Sequence, residues 1–496
     1  MKLQFKQSSD LLFIDKPAGF STHAADHGKL GICEIYEKEW GSKLFIAHRL
    51  DKTTTGSLVL AKSSQKAAEL TELFQSREIE KKYTFITDRA SSEMNLECHQ
   101  PIEGKPASTQ FRRLKRSPFF ELWEATPASG RAHQIRIHAQ ALGLPILGDE
   151  MYAGTRFPHL CLHSAELRIP GENPWITPQP RFMERLGLLK DPILVRWLSE
   201  IDRRQRLYNF LSFPQECLRL IHLPELRLDQ YGDQLWFYWY HDSSPQTQDL
   251  QRCEFIASLL QKKWLLRHMQ NRGENPNEKK IWHSEDWKSS WQAEENGMKL
   301  QFHTDQGQSP GLFLDQRENR LEVRHRSHGL RVLNLFSYTC GFSLSAALGE
   351  ASEICSVDLN KSFLVWGREN FNLNQVPSSR YEFYQQEALL FLKGATKRTR
   401  QFDLIICDPP SFGRHKDGVF RLEQALPALL KACWEVLTPS GQLLLSCNLE
   451  KWDFHELQSQ VSKILRNAKL SQGSQGWDFE LPMEKPLMKS LWLKKD

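Results

Sequence analysis

The sequence predicts a multidomain chain that ends in a doubly wound, Rossmann-like α/β domain, begins with a β-rich region and has a mixed α/β region between them. Three observations carry this expectation. The chain has 496 residues, more than one compact core usually organises, so two or three domains are expected. From Arg331 onward, strand-like runs at 332–336, 354–357, 381–384, 403–407 and 442–446 alternate with helix-like stretches, the rhythm of a parallel sheet. Prolines gather at Pro170, Pro174, Pro178 and Pro180, which marks a boundary before that pattern begins.

Taken in order, residues 10–170 carry short β-rich runs bounded by turn residues, such as 11–19 and 118–130. A helix is expected from Pro192 to Leu211 and reads as a connector. The mixed region opens with two strand-like runs separated by Tyr231-Gly232-Asp233, a hairpin signal. A helix over about 248–270 follows it. The expected divisions are 1–190, a helical linker at 191–215, an accessory region at 216–330 and the doubly wound domain at 331–496.

Composition excludes several classes. Hydrophobic residues make up 40% of the chain, enough for cores and too many for a disordered chain. No run of ~18 apolar residues suggests a membrane span, and the first residues lack the pattern of a secretory signal. A cytoplasmic location is therefore expected. The ten cysteines are scattered without a C-x-x-C pair, which argues against a disulfide framework or a zinc site, and no metal is expected. The net charge of +5 and pI near 8.6 do not by themselves demand nucleic acid. Two local clusters suit phosphate contacts: Arg112, Arg113, Lys115 and Arg116, and then Arg317, Arg320, Arg324, Arg326 and Arg331. Such clusters also occur as ordinary solvated surface.

The segment His48-Arg49-Leu50-Asp51-Lys52-Thr53-Thr54-Thr55-Gly56 stands among three others in order: Asp15 to Gly19, Arg77 to Tyr83, and Gly130 to His138 running on to Tyr152. Together they resemble the RluA-type pseudouridine synthases over about residues 10–185. The resemblance implies an α+β domain that isomerises uridine without a cofactor. That reaction breaks a C–N glycosidic bond, turns the base and forms a C–C bond. A carboxylate can start it by attacking the nucleoside, or by stabilising charge as the base departs. The resemblance makes Asp51 that carboxylate and gives Arg131 the task of holding it in a two-pronged contact. It also makes Tyr83 the ring that stacks on uracil and moves a proton, and Arg49 the side chain that fills the gap left by the flipped nucleotide. Without the three companion segments, Asp51 and Arg131 would read as a surface turn and its salt-bridge partner. Thr55 and Ala132 stand where serine and threonine are commoner. Many relatives carry a basic RNA-binding module before the segment at Leu11; this sequence shows none, so RNA grip is expected elsewhere in the chain.

In the last region Asn334, Phe336, Tyr338 and Gly341 lie where a strand gives way to a helix, the place where doubly wound folds bind nucleotide-like ligands. Asp358 ends the next strand and suits ribose hydroxyls. Glu387 ends the third strand region and suits an adenine amino group. Asp408-Pro409-Pro410-Ser411-Phe412 ends the fourth and resembles the element that RNA and DNA methyltransferases set beside the target base. Gly311 to Arg317 resembles the segment preceding the catalytic domain in bacterial large-subunit rRNA methyltransferases of the RlmK and RlmI types, and the resemblance makes Asp315 and Arg317 candidate cofactor-binding residues. That resemblance covers roughly 217–496 and implies S-adenosylmethionine as cofactor. Cys340 stands where glycine is usual, and Glu387 where aspartate is.

Cys447 leaves the target base open. Methylation at cytosine C5, the RlmI-type reaction, needs a thiolate to add at C6. Methylation at guanine N7, the RlmK-type reaction, needs positioning only. Cys447 lies where the first type has its nucleophile, while Asn448, Lys451 and Trp452 look more like the second. A buried strand-end thiol is the other reading. The expected whole is a bifunctional enzyme acting on structured RNA, preferably ribosomal, with no obligate protein partner. A tRNA-modifying enzyme and an RNA-binding assembly factor with one spent site remain the rivals.

Overall fold

The computed structural model describes residues 6–23, 31–208, 216–269, 281–304, 309–415, 418–473, 479 and 488–495. The chain forms two compact units, residues 1–212 with 220–223, and residues 213–219 with 224–496.

The first unit is built on a ten-stranded sheet. At its centre Thr55–Ala61 runs parallel to Leu162–Arg168, which pairs on its other side with Glu80–Thr87. The parallel contact depends on Gly56: its φ is +106°, and a Cβ there would lie 2.1 Å from the Ser164 carbonyl oxygen. No other residue type allows the two backbones so close. Phe85, Phe111, Trp123, Ile135 and Ala139 pack a core under this sheet, drawing the helix Gln134–Ala141 onto it. The proline-rich stretch is less separate than expected, because Trp175–Ile176 pairs with Leu162–Arg168 and Trp175 is buried. The expected connector also belongs to this unit. The helix Pro192–Tyr208 buries Val195, Trp197, Leu198 and Ile201, and Arg206 forms an ion pair with Asp15. Residues 209–211 of the expected helix lie outside the described residues.

In the second unit the accessory and doubly wound regions are not separate bodies. One core runs from Tyr231, Trp236, Trp291 and Phe302 through Leu312 and Val323 to Val332, Leu344 and Ile406. The expected hairpin is present: Leu226–Tyr231 and Gln234–Trp239 pair antiparallel across Gly232-Asp233. The helix expected to reach 270 ends at Leu260, and Lys263–His268 is instead a strand parallel to Gln234–Trp239. The run Trp264-Leu265-Leu266 is short enough for either element, and burial in the sheet decides.

The doubly wound sheet has seven strands. Its spatial order is Glu382–Gln385, Glu353–Asp358, Arg331–Leu335, Phe402–Cys407, Leu437–Cys447, Lys489–Lys494 and Lys469–Gln472. The first five are parallel and the last two antiparallel to their neighbours. The two final strands were not foreseen in the sequence. Strand order reverses between Arg331–Leu335 and Phe402–Cys407, and doubly wound folds bind their ligands at the carboxyl ends of such a pair. Among the described residues no helix is long and apolar enough to cross a membrane.

Candidate active sites

In the first unit a cavity of about 790 Å³ is lined by Arg49, Asp51, Arg77, Lys81, Tyr83, Arg131, His133 and Arg136, among others. Asp51 sits on the turn that feeds Thr55–Ala61; Thr54 N donates to its carbonyl at 3.1 Å. Leu50 is tied on both backbone atoms to the Thr22 hydroxyl. The Asp51 carboxylate is about a third exposed and lies 3.3 Å from Arg136 Nη1 and 3.7 Å from His133 Nε2.

The arginine on Asp51 is therefore Arg136, and not Arg131 as expected. Arg136 is itself held by the buried Asp149, with Nε donating to Oδ2 and Nη2 to Oδ1, both at 2.7 Å. Its guanidinium also lies over the Tyr152 ring, 4.9 Å from the centroid. The reason is local: His133 adopts a left-handed conformation (φ 54°) and starts the helix Gln134–Ala141, which turns the third residue onto Asp51. Arg131 lines the same cavity from the preceding loop. Arg136, Asp149, Lys81 and Tyr152 were missed as site residues, although all lie inside the quoted motif segments.

Tyr83, on Glu80–Thr87, is half-buried; burial pushes its phenol up to about 12, and the charge of Asp51 acts in the same direction. It is therefore a neutral hydroxyl near pH 7. Lys81 donates to the Ser129 carbonyl at 3.0 Å, and burial lowers its ammonium to about 8. Arg49 is exposed at the cavity rim. His48 accepts from Val59 N at 3.1 Å, and burial lowers it to about 3, so it is neutral scaffold.

In the second unit the loop after Arg331–Leu335 holds three non-glycine residues at positive φ: Phe336 (58°), Tyr338 (47°) and Cys340 (61°). Each carries strain that the surroundings must hold, and the loop N–H groups of Ser337 and Cys340 are spent on Val357 O and Ser337 O. The latches are visible. Tyr338 N donates to Asp358 Oδ2 at 2.9 Å, the Tyr338 hydroxyl to Ser309 O at 3.2 Å, and the Thr339 hydroxyl to Gly311 O at 2.6 Å. Cys340, which stands where glycine is usual, is accommodated by Gly367 of the helix Lys361–Leu373, where a Cβ would meet its sulfur at 2.5 Å. Gly311 (φ +135°) is needed because a Cβ would meet Trp366 at 2.4 Å. Gly341 begins the helix Gly341–Leu348.

Asp358 also accepts from Asn360 N at 2.8 Å; burial raises its carboxyl, and the backbone N–H groups of Asn360, Tyr338 and Leu359 oppose the rise. A carboxylate has four lone-pair sites, so hydroxyl donors can still bind. Glu387 caps the helix Ala388–Lys397 through Leu390 N at 2.7 Å. Leu359 and Leu390, beside the two acids, are exposed apolar side chains. Burial and the neighbouring charge of Asp315 raise Asp408 to about 7, while Arg320 and the Gln316 amide pull it back. Asp315 is raised chiefly by burial.

Two expected cofactor residues are structural. Asn334 is buried and donates to the Ser343 hydroxyl at 2.8 Å, tying its strand to the next helix. Arg317 is buried, with Nε donating to Glu318 at 3.2 Å. The second basic cluster is largely spent in the same way: Arg320 is bidentate on buried Glu295, Arg324 donates to Asn296 O, Arg326 pairs with Glu322 and Arg331 with Asp403. In the first cluster Arg112, Arg113 and Arg116 face Glu124 and Glu121, so Lys115 alone keeps its charge uncompensated by a described ion pair. Among the described residues no group of three or more His, Cys, Asp or Glu could hold a metal.

Cys447 is buried at the end of Leu437–Cys447, in register with buried Lys489. Burial pushes its thiol up, and the Leu449 backbone and the Lys489 charge oppose the rise. The Ser411 hydroxyl donates to Asn448 Oδ1, which ties the Asp408–Phe412 loop to the residue after Cys447.

Two family models match the chain. One, described as RNA pseudouridylate synthase, covers residues 10–141; the other, described as S-adenosylmethionine-dependent methyltransferase, covers 249–454. A curated relative, ribosomal RNA large subunit methyltransferase K/L of Psychrobacter cryohalolentis, is 34% identical over 206 residues, 41% of this chain and 26% of that protein. The chain thus spans about a quarter of the length of the curated relatives it matches. A Streptococcus mutans protein described as an S-adenosylmethionine-dependent methyltransferase shares the fold, with TM-score 0.52, 23% identity, and coverage of 61% of this chain and 81% of that one. A methyltransferase solved in complex with S-adenosylhomocysteine has TM-score 0.51, 24% identity and the same coverages.

Proposed function

We propose that the chain, whose residues 10–141 match an RNA pseudouridylate synthase model and 249–454 an S-adenosylmethionine-dependent methyltransferase model, is a bifunctional RNA-modifying enzyme acting on large-subunit ribosomal RNA. The observation that carries the reading is the pairing of Asp51 with Arg136 at 3.3 Å inside a cavity large enough for a nucleoside. Arg136, fixed by Asp149, holds and aims the Asp51 carboxylate. Tyr83, a neutral phenol beside Asp51, stacks on the flipped base and can take or give a proton. Arg49 at the rim fills the space the nucleotide leaves.

The methyl site fits S-adenosylmethionine: Asp358 for ribose hydroxyls, Glu387 for an amino group, and Leu359 with Leu390 for an aromatic ring. When bound, that cofactor supplies an electrophilic methyl group. Asp408 and Phe412 orient the acceptor base at the carboxyl ends of the strands. Guanine N7 is the favoured acceptor, because Cys447 is buried with a raised thiol, which suits a packed side chain and not a thiolate nucleophile. The ribosomal substrate rests on the curated relatives.

Nucleoside mapping by mass spectrometry of RNA from cells lacking the gene tests the whole reading. Loss of one pseudouridine and one 7-methylguanosine from large-subunit RNA is expected. Unchanged ribosomal RNA with altered tRNA would replace this reading with the tRNA one.

A further inference from the structure

Arg131 and Arg136 lie five positions apart in one motif and line one cavity, yet only Arg136 is engaged. The loop that presents Arg131 is held at several points. Gln134 Oε1 accepts from Arg131 N at 3.1 Å and from the Ser129 hydroxyl at 2.7 Å. Gln134 Nε2 donates to Ser108 O at 2.9 Å and to Thr109 Oγ1 at 3.0 Å, and Lys81 fastens the Ser129 carbonyl. The Arg131 side chain makes no hydrogen bond or ion pair among the described residues, and its Nε is buried. A guanidinium N–H withdrawn from water without a partner is costly, and a rigid loop that tolerates the cost is the mark of a site prepared for a ligand.

We propose that Arg131 is a further catalytic residue of this cavity, meeting the uracil carbonyl oxygens and stabilising the negative charge the base carries when its glycosidic bond breaks. This rests on the synthase reading above. As the C1′–N1 bond breaks, its electron pair stays on the base as a uracilate and an Asp51 oxygen bonds C1′. The turned base then bonds C1′ through C5, the Asp51 oxygen leaves with its pair, C5 loses its proton and N1 gains one. Throughout the first half the charge lies on the ring that Arg131 faces. Phosphates are the other anions RNA offers, but they stay on the strand outside the cavity, where exposed Arg49 and Arg77 line the rim.

The test compares wild type, Arg131→Met and Arg131→Ala on an unmodified ribosomal RNA fragment, with single-turnover rates and with Kd measured across salt concentrations. Expected for Arg131→Met is a rate about 100-fold lower or more, Kd within about threefold and an unchanged salt slope. For Arg131→Ala, added guanidinium ion should restore part of the rate, which a purely structural role would not permit. A salt slope reduced by about one with the rate preserved would identify a phosphate contact instead and overturn the proposal. So would a wild-type rate in both variants, or a loss that guanidinium cannot rescue in chains whose thermal transition is unchanged. A wild-type chain that makes no pseudouridine overturns the synthase reading as well.

Discussion

Asp51 and Asp358 are both carboxylates at the end of a sheet element, yet they are treated in opposite ways. Asp51 is left a third exposed, with one guanidinium at 3.3 Å and its other faces open to the cavity. Asp358 is largely withdrawn from water and braces the strained loop through Tyr338 N and Asn360 N. A group that must react needs access and a supporting charge; a group that must place a cofactor needs rigidity. On the proposed reading the first unit concentrates its chemistry in one side chain, and the second rests on a braced loop.

The largest effect should come from striking that one side chain. Asp51→Asn is expected to reduce pseudouridine formation about 1,000-fold or more, since an amide is nearly isosteric but not a competent nucleophile, while methyl transfer is unchanged. Carbodiimide-based mapping of the treated RNA reads the loss; retained activity would break the comparison.

Arg136→Ala tests the support of Asp51. It strands buried Asp149 without its partner and should cost about 3–5 kcal/mol of stability in the first unit, whereas Arg131→Ala should stay within about 0.5 kcal/mol. Calorimetric transitions of the two variants separate the arginines directly. Which of them reaches Asp51 was not legible in the sequence, because both stand in one nine-residue motif. The choice depends on the left-handed His133 that starts the next helix. The order of motif segments and the alternating runs after Arg331 were legible, since each is a local pattern. Other features were not, because they depend on distant partners. Asn334 reads as a cofactor ligand in the sequence but is bonded to Ser343 in the fold, and the arginines at 317–331 read as an RNA surface, whereas Glu295 faces Arg320 and Asp403 faces Arg331. The helix Pro192–Tyr208 looked like a linker because the sequence does not reveal that Asp15 awaits Arg206.

The units should also respond differently to acid. In the first, burial lowers His48 to about 3, His159 to about 4 and His163 to about 3. Below pH 6.5 the unfolded chain takes protons that these folded histidines refuse, so stability falls as pH drops, by up to about 2 kcal/mol each at pH 5. Asp15, raised to about 6 by burial, returns part of this, because the folded form holds a proton there that the unfolded form has lost. In the second unit Asp408, raised to about 7, gains stability as pH falls from 7 toward 4. Calorimetry from pH 7 to 5 should therefore lower the first unit's transition relative to the second, which S-adenosylmethionine identifies by raising it.

Asp358→Ala should weaken S-adenosylmethionine about tenfold to a hundredfold, a lost charge-assisted bond of ~1.5–3 kcal/mol, without touching pseudouridine formation. An unchanged dissociation constant in calorimetric titration would place the cofactor elsewhere. The smallest effect is expected at Cys447→Ala: about 1 kcal/mol of stability with methyl transfer largely retained. A covalent adduct between Cys447 and 5-fluorocytosine-substituted RNA would move the acceptor to cytosine C5.

The proposed function joins two independent reactions in one chain, and one measurement reaches both directly. Unmodified large-subunit ribosomal RNA is incubated with the full chain, with and without S-adenosylmethionine, and its nucleosides are analysed by mass spectrometry. Pseudouridine should form in both samples and 7-methylguanosine only in the sample with S-adenosylmethionine. Absence of pseudouridine from both samples, or of any methylated base from the sample with S-adenosylmethionine, would contradict it.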